Sequence, residues 1–190
     1  MSAPTMTTQT APIPWASPAA QYRAHQAEIK AAIARVLDSG FFVLGEEVEK
    51  FERAFAQYCG VNHGVGVASG TDALELAMRA LGIGPGDEVV TVSHTAVATA
   101  AAVLACGATP VLVDVEDAYS TLHPAKIEAA ITPRTKAIVP VQLYGQAADM
   151  DAILPLASAR GLRVIEDCAQ CTGGRRGTRD GARRLGSLGD

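Results

Sequence analysis

The sequence predicts an α/β domain, a mostly parallel sheet with helices on both faces. Three observations carry the prediction. Short Val- and Ile-rich runs at 88–92, 110–115, 136–142 and 162–165 alternate with stretches whose apolar residues recur at helical spacing. The runs are near-continuously apolar, as strands covered on both faces are. Glycine and proline punctuate the changes from one pattern to the other. With 190 residues, 48% of them hydrophobic, the chain suits one domain with a sizeable core, or part of a larger one.

In chain order, residues 1–20 read as a flexible arm, because they are rich in Ser, Thr, Ala and Pro. Residues 21–38 read as a helix: Ile29, Ile33, Val36 and Leu37 share a face and Gly40 ends it. Residues 41–45 form a short apolar connection. A second helix from Glu46 carries Val48, Phe51, Phe55 and Tyr58 and stops at Gly60. A strand is expected over 64–69. Gly70-Thr71 then opens a helix bearing Leu74, Ala77, Met78 and Leu81, and 82–87 is a turn cluster. A strand over 88–92 leads to an alanine-rich helix over 95–106 closed by Gly107. A strand over 110–115, a short helix over 124–131 and a strand over 136–142 follow. The helix over 150–160 stops at Gly161, and 162–165 is the last strand. Residues 172–190, rich in Arg and Gly without an apolar period, are expected to be loop.

Composition narrows the function. The net charge of −4 argues against a general nucleic-acid binder. No apolar run approaches the roughly 20 residues that span a bilayer, and the first 20 residues lack a basic segment followed by an apolar one. The four cysteines sit in a chain without secretory signs, so reduced thiols and a cytoplasmic location are expected.

Several stretches could carry chemistry. Val164-Ile165-Glu166-Asp167 is a strand that runs into two carboxylates. Ligands of open α/β sheets bind outside the carboxyl ends of the strands, and a carboxylate there needs a cation or a donor. Ser69-Gly70-Thr71 follows a strand and opens a helix, where free N–H groups and the helix dipole favour a phosphate; the plainer alternative is a helix cap. Gly64-Val65-Gly66 with Gly70 looks like a dinucleotide fingerprint, but its glycines fall within the strand and no acidic residue closes the next one. Cys168-Ala-Gln-Cys171 has no second cysteine pair and the histidines are scattered, so a zinc site is not expected and packing is the favoured reading. His94 follows a strand on the ligand side. Arg175, Arg176, Arg179, Arg183 and Arg184 read either as a solvated loop or as an anion contact.

Taken together, these stretches resemble the DegT/DnrJ/StrS family of sugar aminotransferases. The likeness rests on Ser39-Gly40, Leu44-Gly45-Glu-Glu-Val48, Phe51-Glu52, Ala68-Ser-Gly-Thr-Asp-Ala-Leu74, Gly82-Ile-Gly-Pro-Gly-Asp-Glu-Val89, Gly107-Ala-Thr-Pro-Val111, Leu143-Tyr-Gly145, Asp149-Met150 and Ile165-Glu-Asp-Cys-Ala-Gln170, in that order from residue 21 to 190. It implies the large-domain portion of the aspartate-aminotransferase architecture (pyridoxal-phosphate fold type I) over residues 21–190, without the carboxyl-terminal domain. It implies pyridoxal 5′-phosphate as cofactor, a homodimer at full length, and transfer of an amino group, commonly from glutamate, to a nucleotide-linked keto sugar. By the same resemblance Gly70 and Thr71 hold the cofactor phosphate, Asp167 pairs with the pyridine nitrogen and Gln170 approaches the 3′ oxygen. Two positions depart from the family. Ala96 stands where an aromatic residue commonly stacks on the ring, and His94 is the candidate replacement. The Schiff-base lysine belongs to a Ser-Phe-x-x-x-Lys segment beyond Asp190, and Lys30, Lys50, Lys126 and Lys136 are poor substitutes for it. A chain lacking that lysine is expected to be inactive alone; the alternative is a non-catalytic relative that binds a phosphorylated ligand or a partner chain.

Overall fold

The computed structural model describes residues 16–178 and 181–190. Two compact units, Met1–Lys50 and Phe51–Asp190, divide inside one helix.

The first unit holds α1 (Pro18–Ala24), α2 (Gln26–Ser39) and the start of α3 (Glu46–Cys59). Ser17 caps α1, its hydroxyl oxygen accepting from Ala20 N–H at 3.2 Å, and Pro18 supplies the preset first residue. The single helix expected over 21–38 is therefore two. His25 leaves helical geometry (φ −119°, ψ 23°) and its N–H closes on the carbonyls of Gln21 and Tyr22. The arm expected at 1–20 falls mostly outside the described residues, and its last three residues belong to α1. Gly40 ends α2 in the left-handed region at φ 69°. Arg35 grips both carboxylate oxygens of Glu47, at 2.9 and 3.2 Å. That grip, helped by Lys50, brings the Glu47 carboxyl down to about 2. Phe41, Phe42, Val43 and Leu44 are each 67–76% exposed.

The second unit is built on four parallel strands, β1 (Glu88–Val92), β2 (Thr109–Val113), β3 (Thr135–Val139) and β4 (Arg163–Val164), in the order β2-β1-β3-β4. Alternation along β1 splits its side chains between two cores. Val89 packs with Leu74 and Met78 of α4 (Gly70–Ala80) and with Ala102 and Val103 of α5 (Val97–Ala105). Val90 and Val92 pack with Ile127 of α6 (Pro124–Ala130) and Ile153 of α7 (Met150–Arg160). Each fully buried Val, Leu, Ile or Met contributes about 1.5–3 kcal/mol, and such residues stand both on the strands (Val89, Val90, Val92, Ile138, Val139) and on the helices packed against them (Met78, Val103, Ile127, Ile153). Pro110, which cannot donate to a ladder, sits on edge strand β2. The helices cover both faces, as the sequence predicts. Among the described residues no helix is long and apolar enough to cross a membrane.

Two expectations are corrected. No strand forms over 64–69. The N–H of Gly66 is taken by Glu52 Oε1 at 2.6 Å, a side chain occupying the donor a ladder would use, and Val65 is 80% exposed. The stretch 172–190 is not simply loop but contains a hairpin, β5 (Arg175–Thr178) against β6 (Gly181–Arg184). It lacks an apolar period because its arginines hold it by polar contacts. Arg176 reaches Asp149 at 2.6 Å, Arg184 lies 3.9 Å over the Tyr58 ring, and Arg183 donates to the Ser187 carbonyl. Arg179 lies outside the described residues. Several other boundaries shift by one to three residues, with α5 starting at Val97 rather than Thr95.

Candidate active site

The chain leaves β1 toward β2 on one side and returns to β3 on the other, so the strand order reverses between β1 and β3. A crevice at the carboxyl ends of such strands is where α/β sheets bind ligands. β1 delivers Ser93-His94-Thr95 to that edge. β3 delivers Gln142 and a short 3₁₀ turn, Leu143–Gly145. β4 delivers Glu166 and Asp167. Asp167 is locked to the sheet by its backbone: its N–H donates to Pro140 O at 3.0 Å and its carbonyl accepts from Gln142 N–H at 2.9 Å.

The two carboxylates point to different neighbours. Asp167 Oδ2 accepts from the hydroxyl of Thr99 at 2.9 Å, and Oδ1 from Ala169 N–H at 3.2 Å. Thr99 lies in the first turn of α5 and its hydroxyl is 3.0 Å from that of Thr95. The α5 N-terminus therefore presents both a hydroxyl donor and its dipole to Asp167. Glu166 instead accepts from Gln142 Nε2 at 3.1 Å and from the N–H groups of Leu188 and Gly189 at 2.7 and 3.0 Å. Gln142, fully buried, also accepts from Ala148 N–H at 2.7 Å.

Gln170 Oε1 accepts from the N–H of Tyr144 at 2.9 Å. With its oxygen so engaged, Gln170 has its NH₂ group left to offer to an anionic oxygen. Tyr144 adopts a left-handed backbone at φ 56°, and its hydroxyl lies 3.4 Å from His94 Nε2, the rings tilted at 58°. His94 and Gln170 thus meet through Tyr144.

Gly70 and Thr71 form the first turn of α4. Ser69, not Thr71, is the cap, its Oγ accepting from Asp72 N–H at 3.1 Å and donating to Asp72 Oδ2 at 2.8 Å. The Thr71 hydroxyl is left outside the cap, and a Cβ placed on Gly70 would meet nothing within 4 Å. α4 and α5 are joined at their carboxyl-terminal halves, Arg79 donating to Ala105 O at 2.8 Å and Cys106 Sγ to Glu75 O at 3.4 Å. Each helix leads by a short turn into the amino-terminal end of a strand of the parallel sheet, α4 into β1 and α5 into β2, and this connection directs both helix amino termini toward the carboxyl end of the sheet.

Cys168 and Cys171 are free thiols closing a turn, Cys171 N–H donating to Cys168 O at 2.9 Å. Burial, then the nearby Glu166 carboxylate, pushes both thiols up from their ordinary range. Among the described residues no group of three or more His, Cys, Asp and Glu could hold a metal ion.

Of the residues singled out from sequence, His94, Asp167 and Gln170 follow the carboxyl ends of strands β1 and β4, and Gly70 and Thr71 open α4. Sequence reasoning missed Thr99, Tyr144, and the Glu166–Gln142 pair. Thr99 follows Thr95 by one helical turn, the one local signal that could have marked it.

This architecture is that of the pyridoxal-phosphate fold-type I aminotransferases. The crystal structure of Streptomyces venezuelae DesV in complex with a ketimine intermediate superposes with a TM-score of 0.88 at 53% identity, over 93% of this chain and 47% of that one. NtdA from Bacillus subtilis with bound cofactor PMP gives a TM-score of 0.82 at 36% identity, over 89% of this chain and 39% of that one. The chain belongs to the DegT/DnrJ/EryC1/StrS aminotransferase family, which it matches over residues 23–190. The dTDP-3-amino-3,4,6-trideoxy-alpha-D-glucose transaminase of Streptomyces venezuelae is 55% identical over 175 residues, covering 92% of this chain and 46% of the relative. The UDP-N-acetyl-3-dehydro-alpha-D-glucosamine 3-aminotransferase of Acidithiobacillus ferrooxidans is 52% identical over 183 residues, covering 96% and 48%. The chain spans about half the length of the curated relatives it matches.

Proposed function

We propose that the chain carries the cofactor-cradling half of a pyridoxal-phosphate aminotransferase that acts on a nucleotide-linked keto sugar, with glutamate as amino donor. The observation that carries this reading is Asp167, a carboxylate fixed at the carboxyl end of the sheet by its backbone bonds to Pro140 and Gln142 and by one donor on each oxygen. The donor set fits the cofactor. Free N–H groups and the Thr71 hydroxyl at the α4 start suit a phosphate, Asp167 suits a protonated ring nitrogen, and the Gln170 NH₂ group suits the 3′ oxygen. When bound, pyridoxal phosphate supplies a protonated ring that takes up the electron pair left at the substrate carbon. Asp167 keeps the ring nitrogen protonated, and Gly70 and Thr71 fix the phosphate end. His94, steadied by Tyr144, is the face contact in place of the aromatic residue that Ala96 lacks.

The lysines bear on covalent attachment. Lys126 is paired with Asp114 at 2.9 Å, and Lys50 with Glu46 and Glu47 at 3.0 and 3.3 Å. Lys136 is exposed near the amino-terminal end of β3, the end opposite the site, and Lys30 is on α2. These positions favour a second, narrower reading for the chain by itself: it binds the phosphorylated cofactor without forming a covalent bond and without turnover. The exposed apolar run from Phe41 to Leu44 supports a homodimer, and a cytoplasmic location accords with biosynthetic use of nucleotide-linked sugars.

Borohydride reduction after mixing with pyridoxal phosphate tests both readings. The expected result is saturable cofactor binding by absorbance with no single lysine trapped. Stoichiometric trapping at one native lysine would overturn the narrower reading, and absence of saturable binding would overturn the cofactor site itself.

A further inference from the structure

We infer that Thr99 is a positioning residue for Asp167 and that Thr95 backs it, the two hydroxyls forming a directed hydrogen-bond chain that sets the orientation of the carboxylate. This role rests on the cofactor site proposed above.

The direction of the chain follows from proton counting. A hydroxyl carries one proton, and an ionised carboxylate only accepts. The 2.9 Å contact between Thr99 Oγ1 and Asp167 Oδ2 therefore uses the Thr99 proton. The 3.0 Å contact between the two threonines can then only be Thr95 donating to Thr99. Each link polarises the next, so the Thr99 hydroxyl is a stronger donor than an isolated one.

Its placement is unusual for a helical threonine. Such hydroxyls commonly bond back to a carbonyl of the preceding turn. Thr99 instead reaches across 68 residues of sequence to a different element, while being only 1% exposed. Its β-branched side chain has few rotamers within a helix, so the donor is held rigidly. With Ala169 N–H on Oδ1, each oxygen of Asp167 has one fixed donor. Two donors on different oxygens pin the carboxylate plane and leave each oxygen capacity to accept from a ligand. A ring nitrogen needs an oxygen in one direction only, and a carboxylate free to rotate would meet it less often.

The test is a double-mutant cycle read by pyridoxamine phosphate binding, followed through cofactor absorbance. Thr99→Val, which keeps the shape and removes the hydroxyl, is expected to weaken binding about tenfold, the effect of losing one hydrogen bond to a charged group. Thr99→Ser is expected to restore affinity to within about threefold, and Thr95→Val to cost about threefold. In an Asp167→Ala background neither valine substitution should cost anything further, because its effect runs through the carboxylate. A merely structural role predicts the same loss in both backgrounds, and that result, or wild-type affinity in Thr99→Val, would overturn the proposal. Should Thr99→Val fail to fold, Thr95→Val, at a half-buried position, carries the same cycle: loss confined to the Asp167 background supports the role, and equal loss in both backgrounds overturns it. Failure of the unsubstituted chain to bind pyridoxamine phosphate would overturn the site and this role with it, whereas binding that ignores both threonines overturns the role alone.

Discussion

The two sides of the β4 carboxyl end use the same chemical group for different ends. On one side Glu166 meets three donors: the buried Gln142 amide and two backbone N–H groups of residues 188 and 189. All three hold it to distant parts of the chain. On the other side Asp167 meets a hydroxyl and one backbone N–H, one on each oxygen, and both oxygens retain accepting capacity. Three donors drawn from distant parts of the chain make Glu166 a staple; Asp167, with one donor on each oxygen, is pinned and keeps more capacity for a ligand. Adjacent positions on a strand point to opposite faces, so one residue of register separates the two roles.

Substitutions can break this contrast. The largest expected effect on stability is at Glu166→Ala, which leaves the Gln142 NH₂ group only the Met150 sulfur to donate to and takes the acceptor from the N–H groups of buried Leu188 and exposed Gly189. A loss of about 3 kcal/mol is expected, measured by denaturant unfolding. Asp167→Ala strands one buried hydroxyl and one exposed N–H, and should cost about 1 kcal/mol or less by the same measurement. Equal losses at the two positions would remove the distinction.

His94→Ala sharpens the ligand side. Loss of a ring contact should weaken pyridoxamine phosphate about threefold, with unfolding unchanged within about 0.5 kcal/mol. Unchanged affinity would show that His94 does not compensate for Ala96.

The smallest effect concerns a third carboxylate at the opposite end of the sheet. Glu88 is 5% exposed, and the Thr132 hydroxyl, followed by the Arg134 guanidinium, holds its carboxyl below the ordinary range. A lowered folded value means the contribution to stability is present above the ordinary carboxylate range and is lost as pH falls through the folded value. Thermal melts from neutral to acid pH should therefore show Glu88→Gln less stable than the unsubstituted chain at neutral pH, with the gap closing in acid. A gap that persists in acid would assign the effect to packing.

The strand over 88–92 and the helix over 150–160 were legible to the residue, because continuous apolar runs and a helical period with a Gly stop are local signals. The strand expected over 64–69 had equally good local signals, in Val65 and Val67. A strand also needs a neighbour, and Glu52 had already taken the Gly66 N–H. The hairpin at 175–184 was illegible for the converse reason, since its arginines bond to Asp149, Tyr58 and the Ser187 carbonyl rather than repeat an apolar pattern. In the site, Asp167 could be read from its strand, and Gly70-Thr71 from the start of a helix. Thr99 could not, because its hydroxyl acquires meaning only when α5 packs beside the end of β4. Glu166 is set apart from Asp167 by the backbone of residues 188–189, which lies far along the chain.

The most direct measurement of the central claim compares pyridoxamine phosphate binding to the unsubstituted chain and to Asp167→Ala at equal protein concentration and neutral pH. One saturable site in the unsubstituted chain is expected. Asp167→Ala should bind about a hundredfold more weakly, the scale of losing a charge-assisted contact to the ring nitrogen, while remaining folded by circular dichroism. Equal affinity in the two proteins would contradict the account, since Asp167 would then be a strand-end carboxylate with no cation to meet.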